Sequence, residues 1–145
     1  MKLLSLPWLF ALMFGASFPL YADESANLLP ASKAAVRKEL VAVVEAQLEA
    51  FRKDDIQKAY GYAARALRAQ RSLRAFAAIV ESNYPEIWSN TRAEFGLARD
   101  DGAHAMIAVL VHAGEDRATY DFMFVQERAG WRIEGVLRRK PGKGL

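Results

Sequence analysis

The apolar residues of this chain change their spacing once, near Asn90, and no other feature restricts the fold as much. Ahead of that point they recur every three or four positions. Val36, Leu40, Val43, Val44, Leu48 and Phe51 fall on one stripe of a helix, while Arg37, Lys38, Glu45, Glu49 and Arg52 lie mostly off it. Beyond Asn90 they alternate. Ala93, Phe95 and Leu97 share one face of an extended segment at 91–99, and Tyr120, Phe122 and Phe124 share one face of another at 118–127. A helix buries a stripe and a strand buries a face, so each half needs the other to cover its apolar side. Helices followed by strands predict an α+β domain, with N-terminal helices packed in a curved antiparallel four-stranded sheet.

Local chemistry sets the expected boundaries. Ser32 offers a hydroxyl N-cap to a helix reaching Lys53. Asp54 and Asp55 break that helix and cap a second one over 56–67, which Gly61 weakens by up to ~1 kcal/mol. Ser72 caps a third, with Leu73, Phe76, Ile79 and Val80 facing inward. It stops before Pro85, because the residue ahead of a proline is pushed out of the α region. Tyr84, Ile87 and Trp88 form an aromatic elbow. Turn residues at Asp100-Asp101-Gly102, Gly114-Glu115-Asp116 and Ala129-Gly130 separate strands at 91–99, 104–112, 118–127 and 131–138. Turns this short join antiparallel neighbours, so the strands form a meander.

The N-terminus reads as an export signal. Lys2 precedes Leu3 to Leu20, a stretch without charge, and small or apolar residues lead to Ala22 before Asp23 and Glu24 begin, with Leu20 larger than the usual residue near such a cut. The alternative, an uncleaved anchor, has an apolar run barely long enough for a bilayer, interrupted by Pro7, Gly15 and Pro19. The organisation expected is a signal peptide at 1–22, a flexible leader at 23–31, one domain at 32–138 and a flexible tail at 139–145. Cleavage near Ala22 would leave 145 − 22 = 123 residues and send them to the periplasm or outside the cell. With no cysteine in the chain, disulfides, thiol ligands, a thiol nucleophile and thiol-linked lipid are all excluded. The domain therefore rests on its core. A net charge of +3 is mild, and nucleic acid is a poor partner for an exported protein.

Three segments carry a family resemblance. The helix Val44-Glu45-Ala46-Gln47-Leu48-Glu49-Ala50-Phe51-Arg52-Lys53-Asp54-Asp55 resembles the opening helix of nuclear transport factor 2-like cone domains. More narrowly it resembles the bacterial exported group known as domain of unknown function 4864. Phe76 through Trp88, with its Tyr84-Pro85 step, is similar to that group's third helix and exit, and Gly130-Trp131-Arg132-Ile133-Glu134-Gly135-Val136 to its last strand. The resemblance implies a cone, in which a bent sheet wraps a long helix and leaves a pocket at the wide end. It implies no activity, because cone domains include isomerases, dehydratases and plain binding modules.

The residues offer no catalytic set. His104 and His112 lie eight strand positions apart, ~27 Å at ~3.3 Å per residue, too far to share a metal, and they read as strand-end residues in solvent. There is no glycine-rich phosphate loop, and no serine nucleophile is supported. Neither a metal nor a cofactor is expected. Asp121 and Glu127 share a face with Met123 and Val125. A pocket carboxylate of this kind could serve as a general base in a lyase or isomerase, but alternation places Asp121 opposite the aromatic trio.

The better candidates are for binding. Gln47 lies on the apolar stripe, where an amide either bonds the backbone or lies at a pocket floor. Tyr60, Tyr84, Trp88, Tyr120 and Trp131 could supply amphipathic walls. Between Asp55 and Glu81 there is no acid, whereas Lys58, Arg65, Arg68, Arg71 and Arg74 are present, and this basic surface suits anionic envelope components. The reading favoured is non-catalytic binding of a small apolar ligand or a protein partner, with a homodimer allowed. Membrane contact would come only through an uncleaved signal or weak anionic-surface attraction.

Overall fold

A computed structural model describes residues 29–142. The expected signal peptide, most of the leader and the last three residues of the tail lie outside the described residues. Five helical segments come first: α1 (Ala34–Arg52), α2 (Ile56–Gly61), α3 (Arg65–Gln70), α4 (Leu73–Asn83) and α5 (Pro85–Trp88). Four strands follow: β1 (Arg92–Asp100), β2 (His104–Ala113), β3 (Asp116–Glu127) and β4 (Gly130–Arg138). They form one antiparallel sheet in the order β1-β2-β3-β4. The α+β architecture read from the period change is the one observed.

The helical stripe is buried as its spacing dictates. Leu40, Val44 and Leu48 are wholly inaccessible, and Gln47, Ala50 and Phe51 join them. Asp54, at φ 55, turns the chain out of α1 in the left-handed region that a short polar side chain tolerates. Asp55 then caps α2 by accepting from the Lys58 amide at 3.1 Å. Ser72 caps α4 in the same way, its hydroxyl accepting from the Ala75 amide. Pro85 occupies the first turn of α5, where its missing N–H costs nothing.

The inner sheet face is the expected one. Tyr120, Phe122 and Phe124 are fully buried beside Ile107, Val109 and Val111, and each large ring contributes ~1.5–3 kcal/mol. The other face carries a small cluster of Met106 and Met123 with Leu137 against it. Helix α1 touches β1, β2 and β4, both sheet edges included, so the sheet bends around it. Irregularities between Phe95 and Ala98 and between Met123 and Phe124 accompany that bend. Among the described residues no helix is long and apolar enough to cross a bilayer.

Five local expectations are corrected. Leu73 does not face inward: it opens α4 and is exposed. Ser32 does not cap α1: Lys33 precedes the first helical residue, and the Ser32 amide is drawn to the Ala98 carbonyl at 2.9 Å. The second helix does not run over 56–67. It divides around Ala63, which forms a parallel bridge with Ile133: the Ala64 amide donates to the Ile133 carbonyl and the Ile133 amide to the Tyr62 carbonyl. Leu97 does not share a face with Phe95, because the β1 irregularity intervenes and leaves it 56% exposed. His112 is not a solvent residue: it is buried, with Nε2 2.7 Å from Glu94 Oε2. His104, half-buried, approaches Glu134 at 2.9 Å.

The chain ends are partly fixed. Leu29 is buried, Ala31 bridges Arg99, and the Asp100 amide donates to the Pro30 carbonyl. At the other end, Arg139 donates its amide to the Thr119 carbonyl.

Candidate functional site

A cavity lies where α1, α3, α4 and α5 meet β4. Its lining is Gln47 and Phe51 from α1, Ala63 and Leu67 around α3, Phe76 and Val80 from α4, Tyr84 and Ile87 near α5, and Ile133 and Val136 from β4. The space open to the centre of a water molecule is about 20 Å³, whereas all space not filled by atoms, mouth included, is about 350 Å³. The smaller figure decides what fits without movement, and it admits about one water. The larger one falls in the range of small-ligand clefts, so a bigger guest requires a wall to yield.

The two polar lining residues are held by the backbone. Gln47 Nε2 donates to the Ala59 carbonyl at 3.1 Å, tying α1 to α2. The Tyr84 hydroxyl donates to the Val136 carbonyl at 3.2 Å, and burial pushes its pKa well above the ordinary phenol range. None of the lining residues is acidic, so the cavity walls hold no general base.

The sequence-derived wall residues divide. Gln47 and Tyr84 line the cavity. Tyr60 and Trp88 stand one ring behind it, against Phe76 at 5.3 Å and Phe51 at 5.7 Å. The Tyr60 hydroxyl shares its one proton between the Arg71 carbonyl and the Arg68 carbonyl, the latter at 3.0 Å, holding α3 in place. Trp131 is buried in the core outside the lining. Tyr120 belongs to a polar knot: its hydroxyl donates to Glu86 Oε1 at 2.6 Å, and Arg138 binds the same carboxylate through both terminal nitrogens at 2.6 and 3.1 Å. Burial raises the Glu86 pKa, but the Tyr120, backbone and Arg138 contacts outweigh it and hold the carboxyl below its ordinary range. Burial, then the adjoining Glu86, raises the Tyr120 phenol in turn. A carboxylate so fully engaged is a fastening rather than a base.

Asp121 is on the sheet face opposite the aromatic trio, as alternation predicts, and it accepts from Arg139 Nη2 at 2.8 Å and Nε at 3.0 Å. Glu127 accepts from the Arg65 amide at the start of α3. Among the described residues no group of three His, Asp or Glu side chains gathers as a metal site would need. Of the basic set, Arg65, Arg68 and Arg74 are exposed and Arg71 is half-buried.

Glu86 and Asn90 were not singled out from the sequence. Asn90 is buried and donates to the Leu48 carbonyl at 3.0 Å and the Ile87 carbonyl at 2.9 Å, joining α1 to α5 just ahead of the sheet. Its position at the change of period was the available signal. Glu86, one residue past a proline, carried none.

An α+β domain with a small apolar cavity between its long helix and the β4 edge is the class these features define. Residues 33–143 match the family described as Domain of unknown function (DUF4864), and the chain belongs to that family. No curated protein and no solved structure matches it.

Proposed function

We propose that this chain is an exported cone domain of the nuclear transport factor 2-like kind that binds a small, largely apolar ligand without catalysing its conversion. One observation carries the reading: the cavity has eight apolar lining residues against Gln47 and Tyr84, and no acid. Apolar walls with one or two placed polar groups suit binding and orientation. The bent sheet around α1 supports the cone assignment, together with the sequence resemblance. The uncharged stretch after Lys2 supports export.

Entry needs movement, since about 20 Å³ holds no organic ligand. The wall to yield is α3, which packs on little besides β4. Its ties are the Ala64 and Ile133 bridge, the Tyr60 hydroxyl and Glu127.

Methyl-resolved NMR tests the proposal directly. Ten-carbon chains with neutral and anionic ends, decan-1-ol and decanoate, are titrated into the protein. Shifts at Leu67, Val80, Ile133 and Val136, with Leu40 and Val109 unmoved, are the expected result. If neither compound moves the cavity methyls, the proposal fails.

A further inference from the structure

We infer that the ligand is an amphiphile with an anionic head, its chain in the cavity and its head against the basic outer side of α2, α3 and α4; this rests on the binding role proposed above. The argument begins with charge pairing. Elsewhere among the described residues Arg52 meets Glu45, Arg92 Glu94, Arg138 Glu86 and Arg139 Asp121, Arg37 and Arg99 donate to backbone carbonyls, and Arg117, Arg128 and Arg132 stand apart on β3, its turn and β4. Lys58, Arg65, Arg68, Arg71 and Arg74 are distinguished by grouping: they belong to no ion pair there and lie in a stretch, between Asp55 and Glu81, that contains no acid. Glu127 lies nearby, but its carboxylate accepts from the Arg65 backbone amide.

Four of these cations are carried by the segments that form the cavity walls, on their outer side and outside the lining. Leu67 lines the cavity between Arg65 and Arg68 on α3, and Phe76 lines it two positions after Arg74 on α4. Arg71 stands at the junction, its carbonyl held by the Tyr60 hydroxyl while the Tyr60 ring packs on Phe76. Its Nε is a buried donor without an acceptor, an arrangement that costs free energy and that an anionic oxygen would relieve. An apolar interior whose least fastened wall carries unpaired cations selects a chain with a carboxylate or phosphate head. A neutral chain gains only the interior. A free fatty acid and a membrane lipid share this chemistry.

The test compares decanoate, below its micelle concentration, with decan-1-ol. Decanoate is expected to bind at least about 10-fold more tightly at low salt, with the advantage shrinking as salt rises. Charge removal at exposed positions, Lys58→Gln, Arg65→Gln and Arg74→Gln together, should weaken decanoate about 10-fold and leave decan-1-ol unchanged. Arg71→Gln alone serves as a second variant, with loss for decanoate only. Cavity shifts with equal affinities for acid and alcohol overturn this inference and leave the apolar-ligand proposal standing. Absence of cavity shifts with either compound overturns both. Vesicles of phosphatidylglycerol separate the sources. Transfer of lipid into the cavity, read at the same methyls, supports the inference. Sedimentation with vesicles while decanoate leaves those methyls unmoved overturns it in favour of surface adhesion.

Discussion

The two edges of the sheet are closed in different ways. At β1 the chain ahead of α1 runs alongside the strand, with Ser32 donating to Ala98 and Asp100 to Pro30. Where the ladder is irregular, Arg37 fills in from α1, donating from Nε to the Gly96 carbonyl at 3.1 Å and from Nη2 to the Phe95 carbonyl at 3.0 Å. The freed carbonyls are thus satisfied by a rigid charged fork. At β4 the cover is a single bridge at Ala63, a six-residue helix and a cavity beneath it. Each edge is thus partly covered by the chain's own backbone. The β4 edge has the lighter backbone cover, and it is the edge that borders the cavity.

The contrast is broken or sharpened most strongly by truncating one leucine on each side. Leu40→Ala, one turn after Arg37, is expected to cost about 4 kcal/mol in urea unfolding, and Leu67→Ala in the α3 wall about 2. Equal costs would mean that the two edges are equally packed. Next in size is Glu86, which fastens α5 to β3 and β4 beside the lightly covered edge. Glu86→Ala should cost about 2 kcal/mol, since it leaves the buried Tyr120 hydroxyl without its acceptor while the part-exposed Arg138 keeps access to water. Because the carboxyl is held below its ordinary range, its contribution is complete near neutral pH and is lost as pH falls through that range. The wild type should therefore lose stability below about pH 5 more steeply than Glu86→Gln; parallel acid curves would refute this role. Arg37→Ala is expected to cost about 1–2 kcal/mol and to speed amide exchange along β1, leaving Ile133 unaffected. The smallest effect is Val80→Ile. Filling about 20 Å³ should stabilise by about 0.5 kcal/mol and slow exchange at Ala64 and Ile133.

Much of the architecture was legible because it follows from local periodicity. The stripe on α1, the alternation in β3, the Asp55 and Ser72 caps and the stop at Pro85 all depend on residues within a turn or two of each other. The features that escaped depend on distant partners. The helix interrupted at Ala63 yields to Ile133 on the last strand, and the Ser32 hydroxyl loses its cap because β1 claims the backbone beside it. His112 is buried by a diagonal contact with Glu94 across the β1–β2 pair. The candidate site was legible in the same measure. Gln47 stood out as an amide on an apolar stripe, and Tyr84 as the ring before the proline. Nothing in the spacing of aromatic residues could place Tyr60 and Trp88 behind the wall and Tyr120 in a knot with a glutamate. Sequence distance hides which side of a ring meets empty space.

The bridge between Ala63 and Ile133 also bears on the order in which the molecule is completed. Synthesis is vectorial, and α1 and α2 leave the ribosome long before the strand that must grip the segment between α2 and α3. Closing so long a loop is slow relative to making a hairpin. The corner that holds the cavity is therefore expected to assemble last, so a nascent or truncated chain lacking β4 would display Leu67, Phe76 and Val80 as an adhesive apolar surface, a hazard that ends only when the final strand docks.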